Sequence, residues 1–113
     1  MKLSLTRELG HIQHLEFSRK DCMNLDVTLS KIILSGLIKF REELLVSGAI
    51  GIPSSVMKEV TEDKGTEEWL KILDEMIHAF SEDPFCLNPS KEDIDRSTLG
   101  RELFAKHFQD LWW

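Results

Sequence analysis

The chain has 113 residues, 42% of them hydrophobic and 30% charged, with a formal net charge of -6. That length suits one domain with a buried core, and the richness in Leu, Ile and Phe is not that of a disordered chain. The acidic balance excludes a general nucleic-acid binder, which needs a basic stripe against the phosphates.

No apolar run reaches the length of a membrane span, and the opening MKLSLTRELGH is too polar for a secretory signal. The expected location is the cytosol. Cys22 and Cys86 form no CxxC pair, so both are expected as free thiols.

Residues 1–17 make a poorly defined arm. Leu3 and Leu5 alternate with polar neighbours, while Ile12, Leu15 and Phe17 follow without a clean period, so a short extended element fits as well as a helix. Ser18, with Asp21 three residues on, has the form of a helix start and predicts a short turn through Met23. Asn24 or Asp26 then caps a long helix, DVTLSKIILSGLIKFREELLVSG. Leu29, Ile32, Ile33, Leu37, Phe40 and Leu44 recur at three- and four-residue steps, and Val27, Leu34, Ile38 and Leu45 widen the stripe. A helix apolar over so much of its girth is expected at the centre of the domain or at a subunit interface. Gly48 supplies the stop. Gly36, inside the helix, costs about 1 kcal/mol relative to Ala unless another backbone packs closely on it.

GAIGIPSS at 48–55 reads as a connection, VMKEV as one added helical turn, and TEDKG at 61–65 as a polar loop. Thr66 is the expected cap of a second strong helix, TEEWLKILDEMIHAF, with Glu67 and Glu68 set against its dipole. Its buried face is Trp69, Ile72, Leu73, Met76, Ile77 and Phe80. A loop with Pro84 and Pro89 follows. Ser90 and Asp93 repeat the capping signature and open the last helix, with Ile94, Leu103, Phe104, Phe108, Leu111 and Trp112 expected on one side. The fold predicted is all-α, one domain over 1–113. It is a small bundle of about three main helices plus short helical turns, with room for a short extended element at the amino terminus.

Candidate sites are few. His11 and His14 form H-x-x-H, and His78 and His107 lie on separate helices, but neither cysteine has a partner at metal spacing. No metal site and no cofactor are expected. Glu67-Glu68 and Glu92-x-x-Asp95 are distantly similar to the EExxE…ExxD of all-α nucleotide pyrophosphatases, which gather carboxylates around Mg²⁺. Lys71 stands where the third carboxylate belongs, and first-turn acidic residues are ordinary helix-capping material. There is no GxSxG, phosphate loop or HExxH, so no catalytic residue is assigned.

Lys31, Lys39 and Arg41 lie on the long helix; Arg96, Arg101, Lys106 and His107 lie on the last. Across a helix pair such groups line an anion pocket, against the commoner reading of a solvated, salt-bridged surface. The closing RELFAKHFQDLWW puts most of its aromatic mass at core positions, with Trp113 at the edge of the stripe. A terminal Trp in water is an exposed apolar patch. Docking on its own domain, burial in a homo-oligomer interface with Phe108 and Leu111, and stacking on a planar ligand are the three readings.

DCMNLD at 21–26, the LxxxIxxxLxxF that follows, GIP at 51–53, WLKILDEMIHAF at 69–80 and LFAKHFQDLWW at 103–113 together resemble a family of small proteins encoded by tailed bacteriophages. The family pattern is D-x-W-N-L-D, W-x-x-I-L-D-x-M-I-x-A-F and L-F-A-K-Y-F-x-x-L-W. This chain departs from it at Met23, where an aromatic residue is expected, and at His107, where a tyrosine is. The resemblance implies an accessory role in managing the host, in the cytoplasm of the infected bacterium, and no settled activity. It makes sequestration of a nucleotide immune signal the first expectation, inhibition of a host protein the alternative, and a small nucleotide hydrolase the second alternative. A nucleotide site needs aromatic faces for a base and cations for phosphate. Lys31, Arg41, Trp69, Arg101, Lys106 and Trp112 are the residues assigned to it here. The expected partners are a second copy of the chain, a small nucleotide and a host protein.

Overall fold

Ser18 begins the helical part of the chain. In the computed structural model, which describes residues 7–8, 11–12, 17–47, 52–53, 56, 62–81 and 88–111, its side chain accepts from the Asp21 backbone N–H. The Asp21 carboxylate in turn accepts from the Ser18 N–H at 2.8 Å, closing the reciprocal capping box that the spacing predicts. This box opens α1, Arg19–Cys22. The backbone donor from Ser18 holds the Asp21 carboxyl below its ordinary range.

α2 follows at once, Leu25–Ser47, 23 residues. The join needs a sharp reversal, and Asn24 makes it with φ 63, a left-handed conformation that Asn tolerates better than most residues. The Asn24 carbonyl accepts from the Val27 and Thr28 N–H groups, so Asn24 occupies the capping position. Thr28 Oγ1 donates back to the Asp21 carbonyl and ties the two helices together. α2 ends at Ser47, one residue before Gly48.

α3 spans Glu62–Ser81 and α4 spans Lys91–His107, followed by a 3₁₀ turn over Phe108–Asp110. Ser90 caps α4 by accepting from the Asp93 N–H at 3.1 Å, as its position predicts. Ahead of the helices, β1 (Arg7–Glu8) and β2 (His11–Ile12) form a two-residue antiparallel ladder, Arg7 opposite Ile12 and Glu8 opposite His11. The protein is all-α, a small helical bundle, with this ladder as its short extended element.

α3 is the middle helix. α2 packs on it from one side and α4 from the other, while α2 and α4 do not pack on one another along their backbones. Trp69, Leu73, Met76 and Ala79, at steps of four and three, are the buried hydrophobic residues of α3. Leu37 and Leu44 of α2 complete the core, with Ile33, Phe40, Leu103 and Phe104 packed against it. The α3–α4 seam is closer. Ser97 and Gly100 are buried there, and a Cβ on Gly100 would lie 2.5 Å from Ala79 Cβ and against the Glu75 carbonyl. Small residues let the two backbones approach, and a bidentate pair, Arg96 to Glu75 at 3.0 and 3.1 Å, closes the edge.

Four expectations are corrected. The 61–65 stretch is not a loop: Glu62 to Gly65 is the first turn of α3, and Thr66 lies inside the helix rather than capping it. Acidic residues at the helix start favour that conformation, and Gly65 is buried, so packing overrides its poor propensity. α2 flanks the core instead of centring it. Ile94 and Phe108 are 49% and 60% exposed, because α4 turns Ser97, Gly100 and His107 inward. Ile94 stands nine residues before Leu103, half a turn out of phase at 3.6 residues per turn. Trp112, Trp113, Cys86, Gly48 and positions 57–60 of the VMKEV turn lie outside the described residues.

Candidate functional site

Leu37 and Leu44 of α2 point into the core. Leu25 and Leu29, one turn apart, are exposed on one side of that direction, while Ile38 and Leu45 are exposed on the other side and Val46 at the back. Charged residues share this surface. Lys39 pairs with Glu43 one turn on, Nζ to Oε1 at 2.7 Å, which holds the Lys39 ammonium above its ordinary range. Isolated exposed Leu or Ile residues are normal; Leu25 and Leu29 differ in continuing the stripe of Ile33, Gly36 and Phe40 at helical spacing.

Along that stripe an open cleft of about 250 Å³ lies between α2 and the end of α4. Ile33, Gly36, Leu37 and Phe40 line it from α2, and Phe104 and Leu111 from the other side. Nothing lies within 4 Å of where a Gly36 side chain would begin, so no backbone packs on this glycine. Its missing side chain is what leaves the floor of the cleft open. Three rings run from the core to the surface: Phe80 edge-on to Phe104 at 5.0 Å, and Phe104 edge-on to the exposed Phe108 at 5.6 Å. Such contacts fix Phe104 as a rigid wall.

The residues assigned to a nucleotide site are not gathered here. Trp69 is fully buried in the core, edge-on to His107 at 5.4 Å, and offers no face to a ligand arriving from solvent. Its assignment as a stacking ring is corrected to packing. Arg41 joins α2 to α3 through Asp74, Nε to Oδ1 at 2.7 Å, so its charge is already matched. Lys31, Arg101 and Lys106 are exposed and meet no carboxylate among the described residues. Arg101 and Lys106 are five residues apart and point in different directions, as helical geometry requires. Among the described residues no charged side chain lines the cleft. Trp112 lies outside the described residues; of Phe108 and Leu111, assigned to an interface, Leu111 lines the cleft and Phe108 is exposed, edge-on to Phe104.

Chemistry-bearing groups are equally scattered. Glu67 and Glu68 are exposed in α3's second turn, not its first, and Glu92 and Asp95 are exposed on α4. Among the described residues no group of three or more His, Cys, Asp or Glu side chains is placed to hold a metal ion. No described helix is long and apolar enough to cross a membrane. Cys22 is a free, exposed thiol.

What sequence reasoning missed is the burial of His107, read there as one of the basic residues of the last helix, and its pairing with Asp110. His107 is 3% exposed, and its Nδ1 lies 2.9 Å from Asp110 Oδ2. An ionised carboxylate only accepts, so the ring proton belongs on Nδ1. The three-residue spacing HFQD was the available signal. A scan of the chain against protein-family models finds no match, and searches of the curated proteins and of the solved structures likewise return none.

Proposed function

We propose that this chain is a non-catalytic binding protein that works by apolar contact with another protein. The reading rests on one observation: the exposed Leu25 and Leu29 continue, at helical spacing, into an open cleft whose walls are apolar among the described residues. At about 250 Å³ the cleft falls below the size of ordinary small-molecule pockets and suits one or two inserted side chains. In the setting that the phage-family resemblance implies, the partner is a host protein inhibited in the bacterial cytoplasm, or a second copy of the chain.

Leu29→Glu tests this reading. It places a charge on the exposed flank without touching the core, so the helical circular dichroism is expected to persist. Light scattering on both proteins then reports self-association, and a partner purified with the wild type is rebuilt from isolated components. Loss of the complex in Leu29→Glu supports the proposal. Equal binding by both proteins removes α2 from the contact and overturns it.

Nucleotide sequestration is the second reading, supported by the exposed cations Lys31, Arg101 and Lys106. It requires a site assembled from more than one copy, since no cation lines the cleft among the described residues. Mixing the protein with cyclic oligonucleotides and releasing the bound fraction by heat decides it. Intact nucleotide recovered only after heating favours sequestration, and a cleaved product favours a hydrolase.

A further inference from the structure

We infer that one amphipathic helix of a partner protein fills the cleft, apolar on the face it buries and acidic along the edge that meets α4; this occupant rests on the protein contact proposed above. α2 and α4 each pack on α3 but, among the described residues, not on one another along their backbones. The cleft is the gap between them, and a helix laid along it packs on both as the fourth member of a bundle. Both walls repeat at the spacing that a helix face meets. Ile33, Gly36 and Phe40 follow one another at steps of three and four on α2, and Leu29 and Leu25 carry the row outward. On α4, Phe104 lines the cleft and Phe108, four residues on, is exposed edge-on to it. Nothing lies within 4 Å of where a Gly36 side chain would begin, so a partner helix can seat one or two of its side chains against that floor.

Charge decides the chemistry of that helix. Arg101 stands three residues before Phe104, a helical neighbour on the edge of that wall away from the Gly100 seam. It is exposed and meets no carboxylate among the described residues. On the other wall Lys39 and Glu43 are matched to each other at 2.7 Å. The partner helix therefore gains from a carboxylate on its α4 edge and from none on its α2 edge. The rest of the chain, with 20 Asp and Glu against 14 Lys and Arg, repels acidic helices, so Arg101 fixes which way round this one lies. A second copy is the poorer occupant. Two chains of net charge -6 repel, and Glu43, the carboxylate three residues after Phe40, is already matched by Lys39.

The probe is a displayed library of helical peptides, apolar at i, i+3, i+4 and i+7, with flanking positions drawn from Glu, Gln and Lys. It is selected on the whole chain and on Arg101→Glu. Peptides recovered on wild type are expected to carry Glu along one flank, and those recovered on Arg101→Glu to carry Lys there. Exchanging that Glu for Lys is expected to weaken binding to wild type about two- to fivefold. Gly36→Leu fills open space, so its helical circular dichroism is expected to persist while the recovered peptides bind it about tenfold more weakly or worse. Peptides that bind Gly36→Leu as they bind wild type, a flank with no charge preference, or no enrichment at all overturn the helix. So does a wild type that light scattering shows as a dimer and Gly36→Leu turns into a monomer, since the cleft then holds a second copy. The host-protein reading fails separately, on a native complex that Leu29→Glu leaves intact.

Discussion

Gly100→Ala adds one methyl group where α4 crosses α3. The new carbon would lie 2.5 Å from Ala79 Cβ and 3.2 Å from the Glu75 carbonyl carbon, with the Glu75 oxygen closer still. Carbon atoms pack favourably at about 3.5–4.0 Å, so the helices must separate by roughly 1 Å. None of the three atoms is the end of a flexible side chain, and the strain therefore falls on the backbone. Separation also loosens the neighbours along the seam, the buried Ser97 and the Trp69–His107 contact. Overpacking of this kind costs about 1–3 kcal/mol or more. Exchanging Gly for Ala inside a helix returns at most about 1 kcal/mol. The net is a loss of about 2 kcal/mol, which lowers Tm on the order of 10 °C for a domain of this size. Thermal and urea unfolding followed by circular dichroism measure it. Ala79→Gly in the same chain removes one of the clashes and is expected to recover part of the loss. A Gly100→Ala protein that melts at or above wild type would refute the close crossing, since only helix propensity would then be acting.

Gly36→Ala is the opposite case: the space is open, so the substitution is expected to stabilise by about 1 kcal/mol, read as a higher Tm. A lower Tm would mean that something occupies the space above Gly36. Ser90→Ala removes the side chain that accepts from the Asp93 N–H and is expected to cost about 1 kcal/mol in urea unfolding. Acid unfolding tests the pair of Arg96 and Glu75. Hydrogen bonds from the guanidinium hold the Glu75 carboxyl below its ordinary value of 4.5, against a smaller opposing effect of burial. The pair's contribution is complete above that value and is lost as pH falls through the lower folded one. Arg96→Met is therefore expected to show less acid destabilisation below pH 4.5 than wild type, and identical acid profiles would sink the assignment.

Where the sequence carried a local signal, the fold was legible. Ser18 with Asp21, and Ser90 with Asp93, each place a hydroxyl three residues before an N–H that needs an acceptor, and both caps form. The buried face of α3 could be read because apolar and charged residues alternate there at a clear helical period. α2 could not be oriented from its sequence. Its stripe is too wide to reveal which flank meets α3, and that choice belongs to tertiary packing. α4 misled for a related reason. Its inward face is made of Ser97, Gly100 and His107, which a search for apolar residues passes over. The start of α3 was missed because Gly65 looks like punctuation, and only its burial shows otherwise. Cations were the least legible of all. Helical spacing puts Arg41 one turn after Leu37, but does not show that Asp74 of α3 stands beside it.

The two glycines enclosed in α2 and α4 carry the same intrinsic penalty and answer it differently. At Gly100 the missing side chain is repaid by contact, because α3 occupies the space that a methyl group would need. At Gly36 nothing occupies it, so the penalty of about 1 kcal/mol goes uncompensated within the described fold. What Gly36 supplies instead is depth: with any larger residue the floor between Ile33, Leu37 and Phe40 rises, and the cleft closes. A protein that gives up stability at that one point, and keeps apolar side chains exposed along the same helix, is built for contact more than for its own stability. Among the described residues no cation lines the cleft, and the contact proposed for it is therefore apolar, which is why the proposal places protein binding above nucleotide binding.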